Sequence, residues 1–419
     1  MIDFKFGGPV EPWLFYDRER EIDFLLDKLL QVKKGIKHNY ALVGPRRIGK
    51  SSILYVLMDK LSEEGVIPVL IDCEGREIKR QAELTFELFL GLWGNSVLDA
   101  YFEHAGLQEK IKLKVTDFVV GTKDRLISAL SELLGKMKAL EIRAVSEYLR
   151  FRIEFEKIAV QRKPSPEELV RLFEDTMSLT ETISSESGLY FVLMLDEFQE
   201  VGGFRRPFDF LPAFRRHLQK QERVAYVLTG SNIGMMEHIL LRKPFGGHIP
   251  IEWIGEFDYD SACSFLKDRF DRLERVTSHE VINEIVNFTK GHPAYLNWFG
   301  ENICREVVRG EEIPIDVIKK LEERVFEVEG LMHVFEEDLS KISPTKGKVF
   351  QTYVEMIGHD LESPSEISKN VLRSTPVEII TYLKRLEQRG FIRKIGTGRY
   401  RVIDSMLKNY VKRKIHVTL

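Results

Sequence analysis

The sequence predicts an α/β fold with a parallel sheet covered on both faces, and three observations predict it. Four apolar, β-branched runs, Asn39–Val43, Val66–Asp72, Tyr190–Leu195 and Val224–Gly230, read as buried strands, with His248–Ile254 as a fifth. Helical patterns lie between most of them, and short apolar strands alternating with helices argue for a parallel arrangement. The third observation is a glycine-containing loop, Gly44–Ser51, between the first strand and a helical run.

At 419 residues the chain predicts two or three domains. From Glu77 to about Ser187 the pattern is helical almost throughout, with Leu126, Leu130, Leu133, Leu134 and Met137 at helical spacing. This reads as a helical insertion, about 77–187, in a core spanning 1–254. Ser165-Pro166-Glu167-Glu168 marks a helix start inside it, with an N-cap, Pro at N1 and Glu at N3. A second helical region follows over 255–342. A boundary is expected near Lys341-Ile342-Ser343-Pro344, where Ser-Pro would start another helix, leaving 343–419 as the last unit.

Composition excludes several classes. The chain is 43% apolar and 30% charged, with no apolar run long enough to span a bilayer and no secretory signal at Met1-Ile2-Asp3-Phe4-Lys5. Cys73, Cys263 and Cys304 are far apart and form no CxxC pair, so they read as free thiols and not metal ligands. A cytoplasmic protein without a membrane partner is expected. The net charge of −3 hides an asymmetry: Ser343–Lys414 carries 15 Lys+Arg against 7 Asp+Glu, or +8, leaving −11 elsewhere. A basic end on an acidic body points to an anionic partner there.

Gly44-Pro45-Arg46-Arg47-Ile48-Gly49-Lys50-Ser51 fits the eight-residue phosphate-loop pattern, fed by the strand Tyr40-Ala41-Leu42-Val43 and continued by a helix from Ser52. The glycines let backbone N–H groups curl inward at phosphate oxygens, and the helix presents its positive end to the same anion. Lys50 would hold the β- and γ-phosphates of ATP, and the Ser51 hydroxyl would bind Mg²⁺. Tyr190–Leu195 then delivers Asp196 and Glu197 at its C-terminal end, where two carboxylates are costly unless used. Asp196 is the expected Mg²⁺ ligand and Glu197 the group that activates water. The strand Val224–Leu228 ends in Thr229-Gly230-Ser231-Asn232, whose polar groups should face the same crevice and could hold the attacking water or sense the γ-phosphate.

Together these motifs resemble the archaeal P-loop ATPase family related to AAA+ and STAND switches and akin to origin-recognition ATPases. Phe15-Tyr16-Asp17-Arg18-Glu19-Arg20-Glu21 resembles the family's opening segment, and Gly44-Pro45-Arg46-Arg47 its double-Arg loop. Asp196-Glu197-Phe198-Gln199 is similar to its acidic motif, Thr229–Asn232 to its sensor turn, and Gly291-His292-Pro293-Ala294-Tyr295-Leu296 to its Gly-x-Pro motif. The resemblance implies a P-loop NTPase sheet in the AAA+ strand order and a helical lid over 255–342. It places Arg18 and Pro293 near the base, and Gly44–Ser52 around the phosphates. Family members often carry an Arg before the last core strand; here Lys243–His248 lacks one. Arg242, Arg205, Arg206, Arg215 and Arg216 are the nearby candidates for an arginine finger.

In the basic block, Lys346–Ile357 reads as a helix. Ser363-Pro364-Ser365-Glu366 and Thr375-Pro376-Val377-Glu378 open two more, the last stopped by Gly390. Phe391–Lys394 and Arg399–Ile403 follow as a hairpin, a pattern that resembles a winged helix. Val377, Ile380, Leu383 and Leu386 are expected to face the core, leaving Thr381, Tyr382, Arg385 and Arg389 outward. Arg393, Lys394, Arg399 and Arg401 would lie on the wing, a surface suited to duplex DNA. The expected function is an ATP-hydrolysing switch that binds DNA; the alternative is a STAND-type scaffold with a protein partner and slow hydrolysis. A small-molecule kinase fits less well, because no acceptor pocket is visible.

Overall fold

The computed structural model describes residues 4–74, 84–104, 165–204, 207–242, 244–342, 347–371 and 374–418. The helical stripe Leu126–Met137, the candidates Arg205 and Arg206, Lys243 and the Ser343-Pro344 helix start lie outside them.

Five parallel strands, β1 (Tyr40–Val43), β2 (Ile67–Asp72), β3 (Phe191–Asp196), β4 (Val224–Gly230) and β5 (Ile251–Trp253), form one sheet in the order β2-β3-β4-β1-β5. That is the AAA+ order the resemblance implied. Burial on both faces explains the unbroken apolar runs. In β3, Phe191, Leu193 and Leu195 join one buried cluster, while Val192 and Met194 join another on the opposite face. The expected fifth strand is shorter than its apolar run: β5 starts only after Pro250, which follows a turn with Gly246 and Gly247 at positive φ.

One face is covered by aromatics. Trp93, on the Phe86–His104 helix, packs edge-on against Phe214 at 5.8 Å between ring centroids and lies 6.1 Å from Tyr226 of β4. Phe173 on the Pro166–Ser187 helix belongs to the same cluster. That helix starts at Ser165 with the expected capping box. Both described ends of the helical stretch therefore cover the sheet directly.

After Gly255 come five helices, Tyr259–Arg272, His279–Thr289, Pro293–Glu306, Ile315–Arg324 and Met332–Ile342. Three more follow, Lys348–Gly358, Pro364–Asn370 and Pro376–Gln388, then the antiparallel pair β6 (Ile392–Gly396) and β7 (Arg399–Val402). Both expected capping boxes, at Ser363 and Thr375, are present. A final helix, Ser405–Thr418, is an element the sequence reading did not identify. One continuous buried cluster runs from Ala262 to Val411, and Tyr410 stacks on Phe335 at 5.1 Å. Among the described residues, no helix is long and apolar enough to cross a membrane.

One orientation is corrected. In the Pro376–Gln388 helix, Val377 is 73% exposed and Ile380 is also exposed, whereas Ile379, Leu383 and Leu386 are buried. The two candidate stripes share Leu383 and Leu386, so helical periodicity alone could not choose between them. Tyr382, expected outward, is half-buried and packs against the core.

The end of this helix lies against the turn after β4 and the helix that follows it. A Cβ on Gly234 would sit 2.4 Å from the Glu387 carbonyl oxygen, and one on Gly390 3.1 Å from that of Ser231. Gly234→Val should therefore destabilise the fold by about 1–3 kcal/mol, as overpacking of a close backbone contact does. Urea unfolding should show a lower midpoint, while Gly203→Ala, at a position with open space, should leave it unchanged.

Candidate nucleotide-binding site

The loop from β1 is shaped by glycine. A Cβ on Gly44 would lie 1.9 Å from the Ile254 carbonyl oxygen, so only glycine fits there. Arg47 (φ 58) and Gly49 (φ 101) adopt left-handed conformations that curl the chain before Lys50 begins its helix. Ile48 is buried and anchors the loop to the core. The Lys50 ammonium, only 4% exposed, donates to the carbonyls of Gly44 (3.0 Å) and Pro45 (2.8 Å). Burial lowers its pKa, while Glu197 and Asp196 act in the opposite direction.

Opposite the loop, β3 ends in Asp196. Ser51 Oγ donates to Asp196 Oδ2 at 2.6 Å, and Thr229 Oγ1 donates to Oδ1. Thr229 Oγ1 also accepts the Glu197 N–H at 3.2 Å, so the end of β4 braces both acids. Burial and the neighbouring Glu197 raise the Asp196 carboxyl. Burial also pushes Glu197 upward, but Lys50, Gln199 and Ser231 outweigh it and leave that carboxyl below its usual value. Glu197 sits at φ 54, and Ser231 donates to its Oε2 from both N (3.0 Å) and Oγ (2.7 Å).

These groups open onto a cleft of about 1100 Å³ between the C-terminal edge of the sheet and the helices after Gly255. Phe257, Phe265, Pro293 and Ala294 give its apolar part; Ser51, Ser52, Asp196, Glu197 and Ser231 give its polar part. Ser52 Oγ accepts the Val10 N–H at 3.0 Å. Arg18 also lines the cleft, but its guanidinium donates to the Gly255 carbonyl and lies 5.2 Å over the Phe257 ring. Asn232 is used differently: its Oδ1 caps the following helix by accepting Met235 N–H at 3.2 Å. Of the finger candidates, Arg215, Arg216 and Arg242 do not line the cleft.

The two loop arginines turn toward the Met332–Ile342 helix. Arg47 makes a bidentate pair with Asp338 (2.6 and 3.3 Å), and Arg46 approaches the same carboxylate at 3.7 Å. His292, fully buried, meets the Arg46 carbonyl at 3.2 Å through Nε2.

The sequence reading missed contributors from three parts of the chain. The segment Lys5–Glu11 forms one wall of the cleft, anchored by Phe4, whose ring fills the space a Cβ on Gly300 would need. Asp338 and Lys341 come from a helix without any motif. Gln199 lay inside the acidic motif, yet only the folded chain brings its amide onto Glu197.

The donor set fits a nucleoside triphosphate with a hard divalent cation. A buried ammonium faces the loop interior, and a hydroxyl and a carboxylate converge at its edge. Among the described residues, no cluster of three or more His, Cys, Asp or Glu could hold a metal alone. A cation here would depend on Ser51, Asp196 and the nucleotide's own phosphates, as Mg²⁺ commonly does.

This fold and this loop define a P-loop NTPase of the AAA+ type. Residues 15–299 match the model of a family described as an ATPase domain predominantly from Archaea; the match covers more than half the chain, which belongs to that family and is an ATPase. The Walker-type ATPase PABY2304 of Pyrococcus abyssi is similar over 98% of this chain and 99% of its own, at 19% identity and a TM-score of 0.65. The ORC2 protein of Aeropyrum pernix, solved in ADPNP–ADP complexes, is similar over 100% and 98%, at 12% identity and a TM-score of 0.54. At these identities the likeness is one of fold. The comparison with curated proteins gave no match.

Burial holds the His292 imidazole below its usual pKa. Below about pH 6.5 the unfolded chain then binds a proton that the folded chain does not, so stability falls on acidification by at most about 1.4 kcal/mol per pH unit. Urea midpoints measured from pH 7.5 down to 5.5 should fall less steeply in His292→Asn than in the parent protein.

Proposed function

We propose that the chain is an ATP-driven switch in which hydrolysis at the loop is coupled to a C-terminal winged-helix domain that binds duplex DNA. Its units are an ATPase core (1–254), a helical lid (255–342) and the winged helix (343–419). Backbone N–H groups of Gly44–Ser52 cradle the phosphates, Lys50 neutralises their charge, and Arg18 and Pro293 border the base. Ser51 and Asp196 would hold Mg²⁺, which when bound would supply charge neutralisation at the phosphates. Glu197 takes the proton of a water whose oxygen attacks the γ-phosphorus, as the bond to the β-phosphate oxygen breaks and its electron pair stays with ADP. Thr229 and Ser231 hold the two acids in place.

The observation that carries the coupling is the position of Ser231. Its N–H and hydroxyl bind Glu197, while its carbonyl oxygen abuts Gly390 at the end of the Pro376–Gln388 helix. A change at the γ-phosphate therefore has two residues, Glu197 and Ser231, to cross before it reaches the C-terminal helices. Arg385, Arg393 and Lys394 are exposed on the face that would meet DNA phosphates. The free thiols at Cys73, Cys263 and Cys304 suit a reducing, cytoplasmic setting.

A protein-partnered scaffold is the second reading, and a specific observation favours it. Arg389 donates to the Ile342 carbonyl, and Arg399 and Arg401 both pair with Glu362, which reduces the free charge on this face.

The test is ATP turnover by the purified protein with and without duplex DNA. Lys50→Ala should abolish turnover. Glu197→Gln should keep ATP binding and lower kcat by about 10²-fold or more, the scale of a lost general base; normal turnover in either variant would sink the site assignment. DNA should stimulate the parent protein.

Duplex retention should also weaken steeply with salt. The double variant Arg385→Glu/Lys394→Glu should lower the slope of log affinity against log salt by about 2, one for each neutralised phosphate contact. Salt-insensitive retention, with turnover indifferent to DNA, would instead support the scaffold.

A further inference from the structure

Gln199 is 3% exposed and lies on the short 3-10 turn Phe198–Glu200 immediately after the acidic pair. Its Nε2 donates to Glu197 Oε2 at 2.5 Å and reaches Glu200 Oε1 at 3.4 Å. Ser231 N and Oγ donate to the same Glu197 oxygen at 3.0 and 2.7 Å. Among the described residues, three donors thus converge on Oε2 and none reaches Oε1, while Glu197 borders the cleft. We propose that Gln199 is a positioning residue for hydrolysis: with Ser231 it fixes one oxygen of Glu197 so that the other, Oε1, is presented to the attacking water. The proposal rests on Glu197 being the group that receives the water's proton.

Two features mark the arrangement as built for the amide. Among the described residues the buried Gln199 Oε1 atom has no hydrogen-bond partner, a costly state for a side chain that served packing alone. Space is also reserved for it, since a Cβ on Gly230 would lie 2.6 Å from that oxygen. The left-handed backbone at Glu197 (φ 54) adds strain at the same point, which the three hydrogen bonds hold in place. Without Gln199, Ser231 alone holds Oε2, the carboxylate gains freedom about its last torsion, and the water's acceptor is less well fixed. Misplacement of a reacting group by about 1 Å costs on the order of 10²-fold in rate.

The experiment is a double-mutant cycle on ATP turnover with Gln199→Met, Glu197→Gln and the pair combined. Methionine keeps the length of the side chain and removes the donor. Gln199→Met should lower kcat by about 10–100-fold while KM and the affinity for a fluorescent ATP analogue stay within about twofold, because only placement of the acceptor is lost. Combined with Glu197→Gln, it should add no further loss in single-turnover measurements, since Gln199 acts only through that carboxylate. Parent-like turnover in Gln199→Met would overturn the proposal, and so would multiplicative losses in the double variant, which would mark a separate structural role. The two failures are distinguishable: a fully active Glu197→Gln removes the acceptor assignment itself, whereas an impaired Glu197→Gln beside a parent-like Gln199→Met removes Gln199 alone. If the methionine variant does not fold, Gln199→Asn, with the same amide one methylene short, enters the same cycle with the same expected outcomes.

Discussion

A buried ammonium governs this molecule. Lys50 is almost fully removed from water, and its charge is balanced by two loop carbonyls at hydrogen-bond distance and two carboxylates nearby. An unpaired charge in that position would be prohibitively costly. The loop, the end of β3 and the end of β4 must therefore come together, which requires the parallel sheet to place these strand ends side by side. The same arrangement holds Asp196 and Glu197 in opposite states of proton affinity. Burial beside Glu197 raises the first, whereas Lys50, Gln199 and Ser231 draw the second down against its own burial.

From that centre, two connections run outward. Arg47, held at positive φ at the tip of the loop, pairs with Asp338 and ties that loop to the Met332–Ile342 helix. Ser231 ties the acidic site to Gly390 at the end of the Pro376–Gln388 helix. Both helices belong to one buried cluster that continues into the final helix through the stacked rings of Phe335 and Tyr410. A packed interior of this kind moves in discrete steps and transmits displacement well. The N-terminal segment adds a third strap, with Phe4 seated among the helices after Gly255 and Val10 bonded to Ser52 at the start of the loop's helix.

Much of this was legible in the residues. Val192 and Met194 could be read as strand because both faces of a parallel sheet are buried, which removes polar residues from the run. The loop at Gly44 and Gly49 was legible because its close backbone approach and positive φ demand glycine. The Ser165, Ser363 and Thr375 capping boxes were legible for the same reason, being complete within four residues. The Pro376–Gln388 helix shows where local reading fails. Val377 and Ile379 begin equally good apolar stripes, and only the neighbours of the folded helix select the second. Asp338 had no local signal, because its partner Arg47 lies 291 residues away in the chain. Gln199 was visible as part of a motif, but not as a hydrogen-bond donor to its neighbour.

By itself, the sequence determined four of the five strands, the loop after β1, the acidic pair and the helix starts at Ser165, Ser363 and Thr375, because each is set by residues within one or two turns of chain. Only the tertiary structure decided which side chains hold those groups in register. Thr229 bracing Asp196, Ser231 and Gln199 sharing one oxygen of Glu197, and Asp338 pairing with Arg47 all depend on strand order and helix packing. Such contacts join residues distant in sequence, and their geometry is fixed by the close packing of the whole interior and not by any local preference.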